Sequence, residues 1–194
     1  MTDRDSELRL EPIRPSEAIH AIKKLLAATP RDLLLFTLGI NNGVHAGDLL
    51  RVTVNDARRA QPGVPLAIRE KKTGGQVPLV FHPGPHRVLG LHLERLRPPA
   101  PPDNMFLFAS EAGWTPLKTA ELDRLVRLWT AAVGLEGTFG AHTLRKTFGY
   151  HQRTRFGVGL EVLAPRFGHS TPAVTARYLG LENGAPSAPE LQEL

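Results

Sequence analysis

The chain has 194 residues, 41% of them hydrophobic, which suits one domain with a buried core and a short tail. Its 24 lysines and arginines against 19 acidic residues give a formal charge of +5, a balance that favours polyanionic partners without naming one. The absence of cysteine excludes disulfide scaffolds and thiolate metal sites, no apolar run approaches the ~20 residues of a membrane span, and the N-terminus MTDRDSELRL is too charged for a signal peptide, so a cytoplasmic location is expected.

Residues 1–14 are polar and lack periodicity, and read as a flexible segment. From Pro15 the apolar positions Ile19, Ile22, Leu25 and Leu26 recur at helical spacing, predicting a first helix that ends before Thr29. In TPRD, Thr29 is the expected N-cap of a second helix, with Pro30 in the first turn and Asp32 near the positive end of the dipole. That helix carries LLLFTLGI, is interrupted by Asn41, Asn42 and Gly43, and is followed by a short third helix over Asp48 to Leu50.

Between Pro65 and Phe81 the pattern changes to the β-favouring segments LAIRE and QVPLVF around KKTGG, whose glycines permit a hairpin turn. PHRVLGLHLERL is helical again, RPPAPPDN is a proline-rich surface loop, and MFLF a short buried segment. His82 and His86 have metal-ligand spacing, but Pro83 and Pro85 between them favour a surface loop. TPLKTAELDRLVRLWTAAVGL predicts a long core helix starting at the Thr115-Pro116 pair, with Leu122, Leu125, Trp129 and Ala132 as its apolar stripe. Two helical segments follow in HTLRKTFGYHQRTRFG and GLEVLAPRFGHS. STPAVTARYLG opens a last one, and residues 181–194 form a tail whose Leu191 and Leu194 could dock on a neighbour. The fold class expected is α+β, mainly helical, with one small antiparallel hairpin.

Four separated stretches carry residues suited to one reaction: Lys72 in KKTGG, His142 and Arg145 in HTLR, His169 in FGHS, and Tyr178 in ARYLG. Singly, each is more often structural or solvated than catalytic. Together and in this order they resemble the tyrosine recombinase, or phage integrase, family: H-x-x-R at His142 and Arg145, G-H at Gly168 and His169, R-Y at Arg177 and Tyr178, and K-T-G at Lys72, Thr73 and Gly74. The family's G-L-R-x-x-[DE]-L-L pattern aligns with GVHAGDLL and places His45 at the first arginine. The resemblance spans Pro15 to Gly180, which sets the expected catalytic domain at 15–180.

It implies a catalytic-domain fold of that family and DNA strand cleavage through Tyr178, which would form a 3′-phosphotyrosine and free a 5′-hydroxyl. Arg145 would hold a nonbridging oxygen, Lys72 would protonate the leaving oxygen, and His142 and His169 would orient the phosphate and manage protons. The residue chemistry agrees, since a tyrosine hydroxyl attacks a phosphodiester only if its proton is removed and the charge growing on the phosphoryl oxygens is compensated. The implied partners are double-stranded DNA and further copies of the chain assembled on it, with room for an accessory DNA-binding protein and no membrane. The implied place of action is the nucleoid. No cofactor and no metal is implied.

Two departures qualify the expectation. Histidine at position 45 is mostly neutral near pH 7 and lacks the guanidinium fork, and losing one transition-state donor typically lowers rate by about 10² to 10³. The chain therefore reads either as a recombinase with an impaired site or as a silent DNA-binding relative with a regulatory role. Arg51 is a substitute whose position the sequence does not fix. A basic RNA-binding module is a third reading with no stacking-aromatic signature behind it. The fourteen residues before Pro15 are also too few for the N-terminal helical domain with which larger members close around DNA. A single-domain member or a separated catalytic domain is expected, with the tail controlling neighbouring protomers.

Overall fold

The computed structural model describes residues 9–71, 74–96, 102–110 and 115–181. Lys72 and Thr73 of the hairpin tip, Leu191 and Leu194 of the tail, and the prolines at 98, 99 and 101 lie outside the described residues. The chain order is α1 (Ser16–Leu25), a 3-10 turn (Leu26–Ala28), α2 (Pro30–Asn42), α3 (Ala46–Leu49), α4 (Val54–Arg59), β1 (Pro65–Arg69), β2 (Gln76–Val80), α5 (Pro83–Arg95), α6 (Thr119–Ala132), α7 (Ala141–Thr154), α8 (Leu160–Arg166) and α9 (Pro172–Leu179). Helices dominate, and the strands pair antiparallel from Pro65 opposite Val80 to Arg69 opposite Gln76.

Helix α2 is the centre of the main core. Leu34, Leu35, Phe36, Leu38 and Ile40 are fully buried, so the helix is apolar on every side, as a helix surrounded by others must be. It packs on α5 and α7. The approach to α7 depends on Gly39, where a Cβ would lie 2.7 Å from the Leu144 side chain. Phe36 meets Trp129 of α6 edge to face at 5.9 Å. A second, smaller cluster of Val158, Leu163, Phe167, Tyr178 and Leu179 joins α8 and α9.

The segment expected to be flexible, residues 1–14, includes Leu10 to Ile13, which are tied to α7. Ile13 N donates to Thr147 Oγ1 at 2.9 Å, the buried Lys146 Nζ donates to Leu10 O at 2.7 Å, and His151 Nε2 donates to Ile13 O at 2.9 Å.

Several local expectations are corrected. Thr29 occupies the N-cap position of α2 but makes no cap bond, because its hydroxyl donates back to Leu26 O at 3.1 Å. Asn41 and Asn42 continue α2 instead of interrupting it, and the short helix over Ala46–Leu49 begins before the predicted Asp48. His82 lies in the short connection before α5, as its N-cap, whereas His86 is on the helix. Pro83 starts α5, where its missing N–H does no harm, and His86 bonds through Nε2 to Ala60 O at 3.2 Å.

Helix α6 starts at Thr119, not at Thr115, since Pro116 instead forms a bridge with Ala109. Its buried stripe is Leu122, Val126 and Trp129, while Ala132 is exposed. Helix α4 was not anticipated; Thr53 and Asp56 cap it reciprocally, Asp56 N donating to Thr53 Oγ1 at 3.1 Å and Thr53 N to Asp56 Oδ2 at 3.0 Å. MFLF is buried as expected at Met105, Leu107 and Phe108.

Candidate functional site

Arg145 and His142 stand three residues apart in the first turns of α7 and therefore share a face. The helix start is fixed by Asp123, whose Oδ1 accepts from Ala141 N at 2.6 Å, a carboxylate on the positive end of the dipole. Arg145 is only 5% exposed. Its Nη1 donates to Gly43 O at 2.6 Å and its Nη2 to Phe167 O at 2.8 Å, with the guanidinium carbon 4.7 Å from the Phe167 ring centre. Burial lowers its pKa from the ordinary arginine value, and the Tyr178 side chain is the largest influence opposing that shift, ahead of Glu70 and Asp48.

The carbonyl at Gly43 is available because α2 ends there. The last carbonyls of a helix have no intrahelical partner, and Gly43 turns the chain away at φ 60. A side chain at 43 is excluded twice, by that left-handed backbone and by Phe148, whose Cδ1 would lie 2.3 Å from a Cβ. Two residues on, His45 is half-buried at the N-cap of α3, its ring centre 6.3 Å from that of His142.

Tyr178, 7% exposed, projects from α9 against Phe167, with ring centres 5.7 Å apart, and against His169 at 5.0 Å. The ammonium of Lys146 lies 4.8 Å from the tyrosine ring centre on a further side. His169 is positioned through Nδ1, 3.1 Å from Thr175 Oγ1. Burial first, and the charge of Arg145 second, lower its pKa, so it is neutral near pH 7.

Arg145, His169 and Tyr178 thus converge around Phe167, and His45 lies beside His142. Lys72 is outside the described residues, but its hairpin is held at both ends. Asp48 Oδ1 accepts from Lys71 N at 2.9 Å, and the Asn42 side chain accepts from Val80 N at 2.6 Å and donates to Val80 O at 3.1 Å. Between hairpin and helices lies a cavity of about 130 Å³ lined by His45, Asp48, Glu70, Arg145 and Arg166 among others.

Arg51 lines a different cleft, of about 500 Å³, and places its guanidinium 5.9 Å from the Phe106 ring centre, so it does not substitute at position 45. Sequence reasoning missed Arg166, Lys146 and Asp48. Asp48 stood in the quoted acidic position of its motif, and Lys146 follows Arg145 directly, whereas only packing reveals Arg166.

Residues 13–183 match the phage integrase family. The chain belongs to that family. The integrase-family chain is 32% identical over 182 residues to the probable integrase/recombinase YoeC of Bacillus subtilis (strain 168), covering 92% of this chain and 94% of that protein. Among solved structures it is similar to XerA recombinase, with a TM-score of 0.72 at 20% identity over 90% of this chain and 62% of that one. XerH bound to its palindromic difH substrate in a post-cleavage complex gives 0.69 at 18% identity over 94% and 53%, and a lambda integrase dimer bound to a COC′ core site gives 0.62 at 17% over 95% and 64%. The chain therefore spans between half and two thirds of those recombinases' lengths, and shares the fold of a tyrosine recombinase catalytic domain. No helix among the described residues is long and apolar enough to cross a membrane, and those residues contain no cluster of metal-ligating side chains.

Proposed function

We propose that this chain cuts and rejoins DNA at specific sites through a transient phosphotyrosine at Tyr178, working on double-stranded DNA as an assembly of several copies. The observation that carries this reading is the meeting of Arg145 from α7, His169 from the turn between α8 and α9, and Tyr178 from α9 around one aromatic ring. The reaction needs a hydroxyl nucleophile, a neutral base and a fixed cation at one point.

In this reading the Tyr178 oxygen attacks phosphorus, the bond to the 5′ oxygen breaks, and the phosphoryl group passes to tyrosine with the bond energy conserved. Arg145 is already immobilised by two carbonyls, so little reorganisation accompanies the growth of charge on a nonbridging oxygen. His169 is suited to take the phenolic proton because it is neutral and its Nδ1 is engaged by Thr175. His142 and His45 bear on the phosphate from α7 and α3. Lys72, on the hairpin tied through Lys71, protonates the departing oxygen. Rejoining reverses each transfer and consumes no nucleotide.

A second reading, a DNA-binding relative that occupies sites without cutting, is favoured by one observation, the histidine at position 45. Covalent trapping separates the two. The natural chain and Tyr178→Phe are incubated with nicked suicide duplexes tiled from the DNA flanking the gene. A protein–DNA adduct that disappears with Tyr178→Phe supports strand transfer, and DNA binding with no adduct supports the silent reading.

A further inference from the structure

Arg166, at the last turn of α8, is a cation whose surroundings do not explain its charge. Its Nε donates to Asn42 O at 3.1 Å, and its Nη2 donates to Pro78 O at 3.0 Å and also to Asn42 O. These bonds tie α8 to the end of α2 and to β2, and any neutral donor of similar length could make them. A guanidinium is a costly choice there. Burial lowers its pKa and so does the neighbouring charge of Arg145, whereas the acids of the cavity, Glu70 and Asp48, act to support Arg145. Among the described residues no carboxylate forms a salt bridge with Arg166.

Two arginines thus take successive carbonyls at the end of one helix, Asn42 and Gly43, and both line the cavity that His45 also lines. Like charges held together at a small cavity are disfavoured until an anion occupies it. The cavity volume is about 130 Å³, enough to admit a phosphate group.

We propose that Arg166 is a second phosphate-binding guanidinium of this site, contacting a nonbridging oxygen of the DNA phosphodiester and supplying the charge that His45 lacks. The inference rests on the strand-transfer reading for its biological ligand, but not for the anion site itself. Arg166 reaches the cavity from α8 on the side of the hairpin, whereas the residue at 45 reaches it from α3, so the same charge is delivered from a different element. Its carbonyl ties give it the immobility that a donor to a transition state needs.

The test uses inorganic phosphate as probe, followed by nuclear magnetic resonance titration of the whole chain, with covalent trapping alongside. Arg166→Gln keeps a donor for the carbonyls and removes the charge; phosphate affinity is expected to fall at least about tenfold, and adding His45→Arg to recover most of it. Unchanged affinity in Arg166→Gln, or no recovery in the double variant, overturns the proposal. Should Arg166→Gln fail to fold, Arg166→Lys decides. Affinity retained within about fivefold while the melting temperature drops supports a charge role, and affinity lost although the charge remains overturns it.

In trapping, Arg166→Gln is expected to lower adduct about a hundredfold. Adduct unaffected by Arg166→Gln overturns the proposal and leaves the strand-transfer reading standing. Binding of the duplexes with no adduct from any variant, with phosphate affinity following the expected pattern, counts against the strand-transfer reading and supports the anion site.

Discussion

The carboxylate of Asp48 accepts the backbone N–H of Lys71 at 2.9 Å, joining the helix that follows His45 to the strand end that leads to Lys72. Asp48 is 5% exposed, so this bond is made away from water and is not readily replaced by it. Asp48→Ala is expected to lower stability by about 1 to 2 kcal/mol in denaturant titration. Cleavage is expected to fall about tenfold or more because the strand end at Lys71, which leads to the proposed general acid, is released. Equal cleavage by the variant would uncouple Lys72 from this tie.

Placing a guanidinium at position 45 adds a donor beside the cavity that Arg145 also lines. His45→Arg is expected to raise adduct formation at least about tenfold over the natural chain. A flat response would remove position 45 from the phosphate's surroundings.

Lys146 is 2% exposed, and its ammonium lies against both Leu10 O and the Tyr178 ring. Lys146→Met removes both contacts and leaves Leu10 O without its donor, and is expected to lower stability by about 1 to 3 kcal/mol in denaturant titration, with Lys146→Arg recovering part of the loss. Equal stability of the methionine variant would remove Lys146 from the ties that hold the N-terminal residues.

Folding stability should fall on mild acidification. His92 and His151 donate through Nε2 to Leu107 O at 2.8 Å and Ile13 O at 2.9 Å. Their pKa values, like that of His169, are lowered chiefly by burial. Below the ordinary histidine pKa of about 6.5 the unfolded chain binds protons that the folded chain refuses, so stability is full above that pH and declines as pH falls toward the depressed values. Thermal melts at pH 7.5 and 5.5 measure the difference, and His92→Gln should shrink it. A melting temperature equal at both pH values would contradict the sign.

Gly43→Ala should be among the more damaging single-methyl changes in the chain. It combines a left-handed backbone with a clash against Phe148 and moves the carbonyl that holds Arg145. A loss of about 2 to 4 kcal/mol is expected in denaturant titration, with cleavage reduced even where the variant is folded.

The helical frame and the hairpin were legible because their signals are local: apolar spacing in α1, α2 and α6, the Thr171 cap of α9, and the glycine-bearing turn between LAIRE and QVPLVF. The motif residues were legible because their spacing is fixed within short segments. Element starts were less so, since Thr115-Pro116 satisfies a helix-start pattern while long-range pairing with Ala109 claims Pro116 instead. Arg166 illustrates the deeper limit. Its carbonyl partners Asn42 and Pro78 lie 124 and 88 positions away in the chain, and no spacing rule connects a residue to acceptors that only the folded backbone brings near.

The tyrosine helix closes on Val158, Leu163 and Phe167, not on the large cluster built around α2. Apolar stabilisation scales with the area removed from water, so detaching α9 forfeits far less than opening the main core. Amide protons of Ala176 to Leu179 should accordingly exchange with solvent through openings that leave Leu34 to Ile40 protected. The proposed nucleophile is carried on the less deeply anchored part of the molecule, while Arg145 keeps its place on α7, whose Ala141 and Leu144 belong to the main core.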